Sequence, residues 1–332
     1  MPLKKSYIAL GLGVVSAIVF ISSMTGTILF RYLFFLLTSL PIFLSGLGWG
    51  WRSASLSGLS CFILLTFLVG YEPALLCAAG QIVPAIVLCY LALLSRPRMH
   101  EDQVKETLEW YPPGRLLLWA SLMAGSFSFI LFLLSDRDLE SLKSNFKEYI
   151  SKSINASLYS SGELQSLIDE EQITTLTDLA ITLVPAGTSV SWLCALLFNL
   201  WLAGRITLAS GQLQRPWPHL SELEYPPGTA LMLVASMLAA NASGKVSLVG
   251  IAFLGSFFIL YVLSGLSVLH HITQATSWRP FILWILYISL FLINFWVALC
   301  VAIIGLLEGP LKFRQRISST GKDPPSSKIH KI

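Results

Sequence analysis

Apolar residues come in long unbroken runs, and the polar ones are confined to short punctuation between them. Nine runs stand out, near Tyr7–Ser23, Leu29–Gly48, Ala54–Gly70, Pro73–Leu94, Leu116–Leu134, Leu176–Ala203, Ala230–Ala240, Ser247–His270 and Pro280–Leu307. Most reach the roughly 18–20 residues that a helix rising 1.5 Å per residue needs to cross a hydrocarbon core of about 30 Å. They lack the strict apolar/polar alternation of membrane barrel strands, so helices are predicted. The expected fold class is all-α, a polytopic transmembrane helix bundle of about 8–10 spans.

The polar punctuation divides the chain into an N-terminal bundle of about five spans (1–134), an acidic insertion (135–172), a C-terminal bundle (173–308) and a basic tail (309–332). The insertion carries eight acidic and four basic residues. Within it Leu139, Leu142, Phe146 and Ile150 recur at helical spacing, which fits either a helix lying at the membrane interface or a connector packed on the bundle. Because Lys and Arg mark the cytoplasmic side, this acidic stretch is expected outside. The Arg96/Arg98/Lys105/Arg115 segment and the tail with Lys312, Arg314, Arg316, Lys322, Lys328 and Lys331 are expected inside. Nine spans starting with the N-terminus inside would leave that tail outside. The conflict disappears if Pro280–Leu307 is a bent pair of short helices around Asn294, or if a weak segment such as Ala230–Ala240 does not span.

Composition agrees: 55% of the 332 residues are hydrophobic and 12% charged, and the mean hydropathy is +0.71. The charged fraction is about half that of a soluble domain. A net charge of +4 is accounted for by topology signals at segment ends, so no nucleic-acid partner is expected and membrane lipids are the natural surroundings. Lys4 and Lys5 precede the first run without a clear small-x-small cleavage site, which predicts a retained span. The five cysteines, Cys61, Cys77, Cys89, Cys194 and Cys300, are dispersed in apolar runs with no CxxC pair and read as small packing residues.

No Walker loop, HExxH, GxSxG or carboxylate pair within a helical turn occurs in the spans, so no catalytic residue, metal ligand or cofactor site is assigned. His270 and His271 project about 100° apart on a helix and suit a membrane interface better than one metal. Polar groups at membrane depth cost free energy unless paired, which singles out Gln81, Asn199 and Asn294. Gln81 precedes Pro84 by three residues. Its amide either satisfies a carbonyl freed by that proline or lines a solute cavity in a bent helix. Asn199 opens a dense constellation that continues through Trp201, Arg205, Ser210-Gly211 and Arg215-Pro216-Trp217-Pro218. Arg205 and Arg215 are candidate contacts for a ligand or partner, as forked donors to a phosphate or carboxylate, or else they are topology determinants touching lipid phosphates. Ala9, Gly13 and Ala17 fall at i, i+4 and i+8, a candidate helix-packing face. The phrase Glu109-Trp110-Tyr111-Pro112-Pro113-Gly114 returns as Glu224-Tyr225-Pro226-Pro227-Gly228, where proline suits the first turn of a following helix.

The Asn199–Pro218 constellation, with Glu109–Arg115, Gly265–His270 and Phe313-Arg314-Gln315-Arg316, resembles the alphaproteobacterial branch of the YybS-like bacterial membrane proteins, over nearly the whole chain. Those proteins resemble the S components of energy-coupling-factor transporters, and Pro41–Gly50 looks like the second-span region of such components. The resemblance implies a bacterial inner-membrane solute-binding or transport component without its own ATPase. It also implies that the Ala9/Gly13/Ala17 face is offered to a coupling partner. The alternative is a scaffold that recruits partners through its cytoplasmic loops and tail. In the first case a polar cavity is expected near Gln81.

Overall fold

A computed structural model describes residues 3–98, 107–135, 144–145, 147–148, 151–152, 170–218 and 223–314. Nearly all of it is helix. The elements are α1 (Leu3–Ser22), α2 (Ile28–Leu37), α3 (Leu40–Trp49), α4 (Trp51–Leu68), α5 (Tyr71–Cys77), a π turn (Ala78–Ile82), α6 (Val83–Ala92), β1 (Ser95–Arg98), β2 (Thr107–Trp110), α7 (Pro113–Ser135), α8 (Glu170–Ala209), α9 (Thr229–Ala240), α10 (Lys245–Ile272), a 3-10 turn (Thr273–Ala275), α11 (Arg279–Leu292) and α12 (Phe295–Leu311). Most of the acidic insertion and the tail beyond Arg314 lie outside the described residues, and with them the expected interfacial helices.

Among the described residues, seven helical stretches are long and apolar enough to cross a membrane: Lys4–Ser22, Ile28–Trp49, Trp51–Leu68, Tyr71–Ala92, Pro113–Phe132, Glu171–Ala209 and Lys245–Ile272. Three shorter apolar helices follow from the sequence as well, but α9, at 12 residues, is only about 18 Å long at 1.5 Å per residue. One short feature departs from the all-helical expectation. β1 and β2 form an antiparallel ribbon that pairs Arg96 with Glu109, whose side chains form an exposed ion pair at 2.8 Å. Pro97 and the Pro112-Pro113 pair keep helix out of these flanks.

The chain forms two compact units, which cut across the expected 1–134 and 173–308 halves. The first comprises the described residues of Met1–Trp217 and Pro226–Phe257, the second those of Pro218–Tyr225 and Phe258–Ile332. Small residues set the packing of the first unit. A side chain at Gly13 would collide with the backbone carbonyl of Ser57, so α1 and α4 lie backbone against backbone. Ser57 Oγ donates to the Ala9 carbonyl at 2.6 Å and Ser60 Oγ to that of Leu10 at 3.2 Å. Ala9 and Ala17 are buried here. The face is therefore packed by α4 of the same chain, where Gly13 on α1 and Ser57 and Ser60 on α4 supply the close approach.

Prolines break two of the long runs in different ways. Pro41 divides Leu29–Gly48 into α2 and α3 at Thr38–Ser39. Pro84 is preceded by the π turn Ala78–Ile82, whose widened coil accommodates a ring that would otherwise clash with the carbonyl four residues back.

In the second unit, α10 and α12 run in the same general direction. Phe258 stacks on Phe295 at one end, with centroids 5.9 Å apart. Gly265 and Gly305 bring the two backbones together at the crossing, and Arg314 reaches Ser267 at the other end. Two helices joined in sequence can be parallel only if the chain returns between them, and α11 is that return. The break falls at Asn294, whose φ of 51° no right-handed helix can continue through. Pro280–Leu307 is thus two helices, the bent pair expected around Asn294.

Candidate functional site

A cleft of about 370 Å³ opens between α2, α7 and α8 within the first unit. Tyr32, Phe35 and Leu36 of α2 form one wall. Phe127 and Leu131 of α7, with Val184, Gly187, Thr188, Ser191 and Trp192 of α8, form the other. The α7–α8 wall is stiff for local reasons: Ser128 Oγ donates to the Pro185 carbonyl at 2.7 Å, and the Phe127 and Trp192 rings lie 5.1 Å apart, tilted by 32°. Gly187 lines the cleft with no atom near the position its Cβ would take, so the absent side chain is volume left open. The lining is almost entirely apolar, with the hydroxyls of Tyr32, Thr188 and Ser191 as polar handles. A volume in the range of small-molecule sites, aromatic walls and few polar groups suit an apolar or weakly polar ligand.

Asn199 lies seven residues beyond Trp192, two turns along the same face of α8. It is fully buried. Its Nδ2 donates to the carbonyl of Leu36, the last cleft-lining residue of α2, and to that of Ala195 at 2.9 Å. Ser16 Oγ donates to the Thr38 carbonyl. These two side chains serve carbonyls at the break that Pro41 imposes, the role the sequence suggested for Gln81 at Pro84. Asn199 Oδ1 has no partner among the described residues.

Gln81 itself is buried in the π turn, and the cleft is not lined by it. The π turn packs against α7, where Gly80 abuts the Phe127 ring.

Arg205 and Arg215 take separate tasks. Arg205 is exposed and stands over the Trp217 ring, 6.0 Å from its centroid, while Trp217 fills the space above Gly204. Arg215 donates from Nη1 to the Ala92 carbonyl at 3.0 Å, and Gln214 Nε2 donates to the Gly48 carbonyl at 3.3 Å. The loop after α8 therefore caps the C-termini of α3 and α6, where helix carbonyls lack partners and favour a cation. Burial pulls the Arg215 pKa below its ordinary value. Convergence of both guanidinium groups on one anion is not what their partners show.

The second unit holds a cluster that sequence reasoning missed. Arg314, counted with the tail, is buried. Its Nε donates to Glu308 at 2.9 Å, its Nη2 to the Leu223 carbonyl at 2.8 Å and its Nη1 to Ser267 Oγ at 3.5 Å. Tyr225 OH, in the segment next to Leu223, donates to the Leu260 carbonyl at 2.7 Å. The available signal was Glu308, an acid six residues before Arg314 at the end of an apolar run. Among the described residues no group of three or more His, Cys, Asp or Glu is placed to hold a metal ion.

A family model described as a predicted membrane protein, DUF2232, matches residues 14–307. That stretch includes every wall of the cleft. No curated protein and no solved structure matches the chain.

Proposed function

The chain belongs to the DUF2232 family of predicted membrane proteins, and on that premise we propose that it is a membrane solute-binding or transport component that takes an apolar or weakly polar molecule from the bilayer. The single observation that carries this reading is the cleft between α2, α7 and α8. It sits in segments of membrane-spanning length, so what reaches it is dissolved in the membrane. The resemblance to YybS-like proteins and S components supports a binding role without a motor or catalysis of its own. With α4 against the small-residue face of α1, a coupling protein would use other surfaces.

The proposed setting is the bacterial inner membrane, with the N-terminus, Arg98, Arg205 and Lys328 in the cytoplasm and Glu148 outside. The cleft residues occupy the second half of α7 and the first half of the α2–α3 run, and α8 enters from the acidic insertion. The cleft then belongs to the outer leaflet, with Arg205 and Arg215 at the opposite end of α8.

Gly187→Phe tests the reading, since the ring would enter open space and phenylalanine is tolerated in a helix. Native mass spectrometry of detergent-purified protein is expected to show a reproducibly bound small molecule that the variant loses while its thermal stability is unchanged. An empty wild-type cleft with a protein co-purified would instead favour a scaffold.

A further inference from the structure

Of the three α2 residues that line the cleft, none is buried, and α2 as a whole has no buried residue. The helix is bounded by two points of backbone weakness. On one side is Gly26, with φ 92°. On the other are Thr38 and Ser39, where Pro41 removes an N–H and breaks the helical ladder. Asn199 of α8 ties α2 down close to its hinge through the Leu36 carbonyl, while Ser16 of α1 holds the hinge itself through the Thr38 carbonyl and Arg31 Nε of α2 donates to the Ser23 carbonyl at 3.3 Å. The Asn199 amide has an acceptor, Oδ1, that is buried and without a partner among the described residues, so the contact is a half-satisfied one. A half-helix pinned at its pivot by Ser16 and joined to α8 through the Asn199 amide, beside a cavity it partly walls, has the construction of a hinged gate.

We propose that α2 swings about Thr38–Ser39 to open the cleft sideways to the bilayer, and that Asn199 is the latch that holds it against α8. This rests on the cleft being a ligand site, and it adds the route by which ligand enters. In the closed state Asn199 Nδ2 holds the Leu36 carbonyl. In the open state that bond is released and the whole amide, including Oδ1, faces the cleft, where it can meet a hydroxyl or amide of the incoming molecule. Asn199 is thus a positioning residue, acting on α2.

The experiment follows thiol labelling of Leu196→Cys, a position with 2% exposure on the α8 face between Trp192 and Asn199. The full-length protein is reconstituted in phosphatidylethanolamine/phosphatidylglycerol vesicles, with Cys194 and Cys300 changed to serine, and N-ethylmaleimide is the probe. Cys61, Cys77 and Cys89, buried in the same unit, report any general loosening. Adding Asn199→Ala is expected to speed labelling at 196 about fivefold, the factor that about 1 kcal/mol for one lost hydrogen bond commands, with the three buried thiols unchanged. Pro41→Ala, which restores a continuous ladder, is expected to slow it. Equal rates at 196 in all three proteins overturn the latch, and so does a rise shared by the three buried thiols. Loss of bound ligand in Gly187→Phe is read separately by mass spectrometry. A cleft that binds nothing while labelling still responds to Asn199→Ala refutes the ligand site and leaves the hinge.

Discussion

The two halves of a single apolar run, α2 and α3, are ten residues each and comparably greasy, yet they end in opposite situations. α3 buries seven of its ten residues, from Pro41 to Gly48, while α2 buries none. Hydrophobicity does not explain this, because lipid tails solvate leucine as well as another helix does. Side-chain size does. α3 carries Ser45, Gly46 and Gly48, which let α4, α6 and the end of α8 approach its backbone, and Gly46 meets Cys89 and Ala54. α2 reads Ile-Leu-Phe-Arg-Tyr-Leu-Phe-Phe-Leu-Leu, with no small residue to admit a neighbour. In this protein the helices that carry small residues form the core, and the bulky ones face lipid or line the cleft.

Truncating one phenylalanine in each half is the most direct way to break that contrast. Phe43 on α3 is fully buried, and Phe43→Ala is expected to cost about 3–5 kcal/mol through the cavity it leaves. Phe30 on α2 is 55% exposed, and Phe30→Ala is expected to stay within about 0.5 kcal/mol. Thermal unfolding in a single detergent measures both, and equal losses would mean that α2 is packed as tightly as α3.

Gly13→Leu extends the size argument to α1. The new side chain must displace the Ser57 backbone, and the expected cost is about 1–3 kcal/mol. A variant with unchanged stability would show that small residues do not set the spacing.

The smallest effects belong to the arginines at the far end of α8. Arg215→Gln is expected to lose about 1 kcal/mol by uncapping α6, with Arg215→Lys recovering part of it through charge at the helix C-terminus. Arg205→Gln is expected to change stability by less than about 1 kcal/mol, since it removes only an exposed cation over Trp217. If Arg205 proved the more sensitive of the two, it would hold an anion after all, and a binding assay with Arg205→Lys would reveal it.

Much of the local architecture is legible in the sequence. Spans are readable because each helix satisfies its own backbone in lipid, a constraint that acts on contiguous residues. Asn294 as a break, proline at helix starts and Ala9/Gly13/Ala17 as a packing stripe likewise depend on chemistry within a few residues of one another. Arg314 shows where such reading stops. Within its neighbourhood it is one cation in a basic tail with Glu308 nearby, and only the path of the chain brings Ser267 and the Leu223 carbonyl around it. Gln81 and Asn199 make the same point as a pair. Each is an amide inside an apolar run, and the proline three residues from Gln81 made it the natural partner of a kink. Yet a π turn absorbs Pro84 locally, while Pro41 is served by an amide 158 positions away in sequence.

By itself, then, the sequence determined that the chain is a bundle of apolar helices, where most of those helices begin and end, and which residues are small enough to pack. Those properties follow from segment length, backbone hydrogen bonding and side-chain volume, all of which are local. The tertiary structure alone decided that α4 occupies the small-residue face of α1, that α10 and α12 are parallel, that Arg205 and Arg215 serve different partners, and that the cleft lies between α2, α7 and α8. Each of these depends on which helices become neighbours, and in a membrane, where burial of apolar surface cannot choose among greasy partners, that choice rests on the fit of particular small and polar residues across the contact.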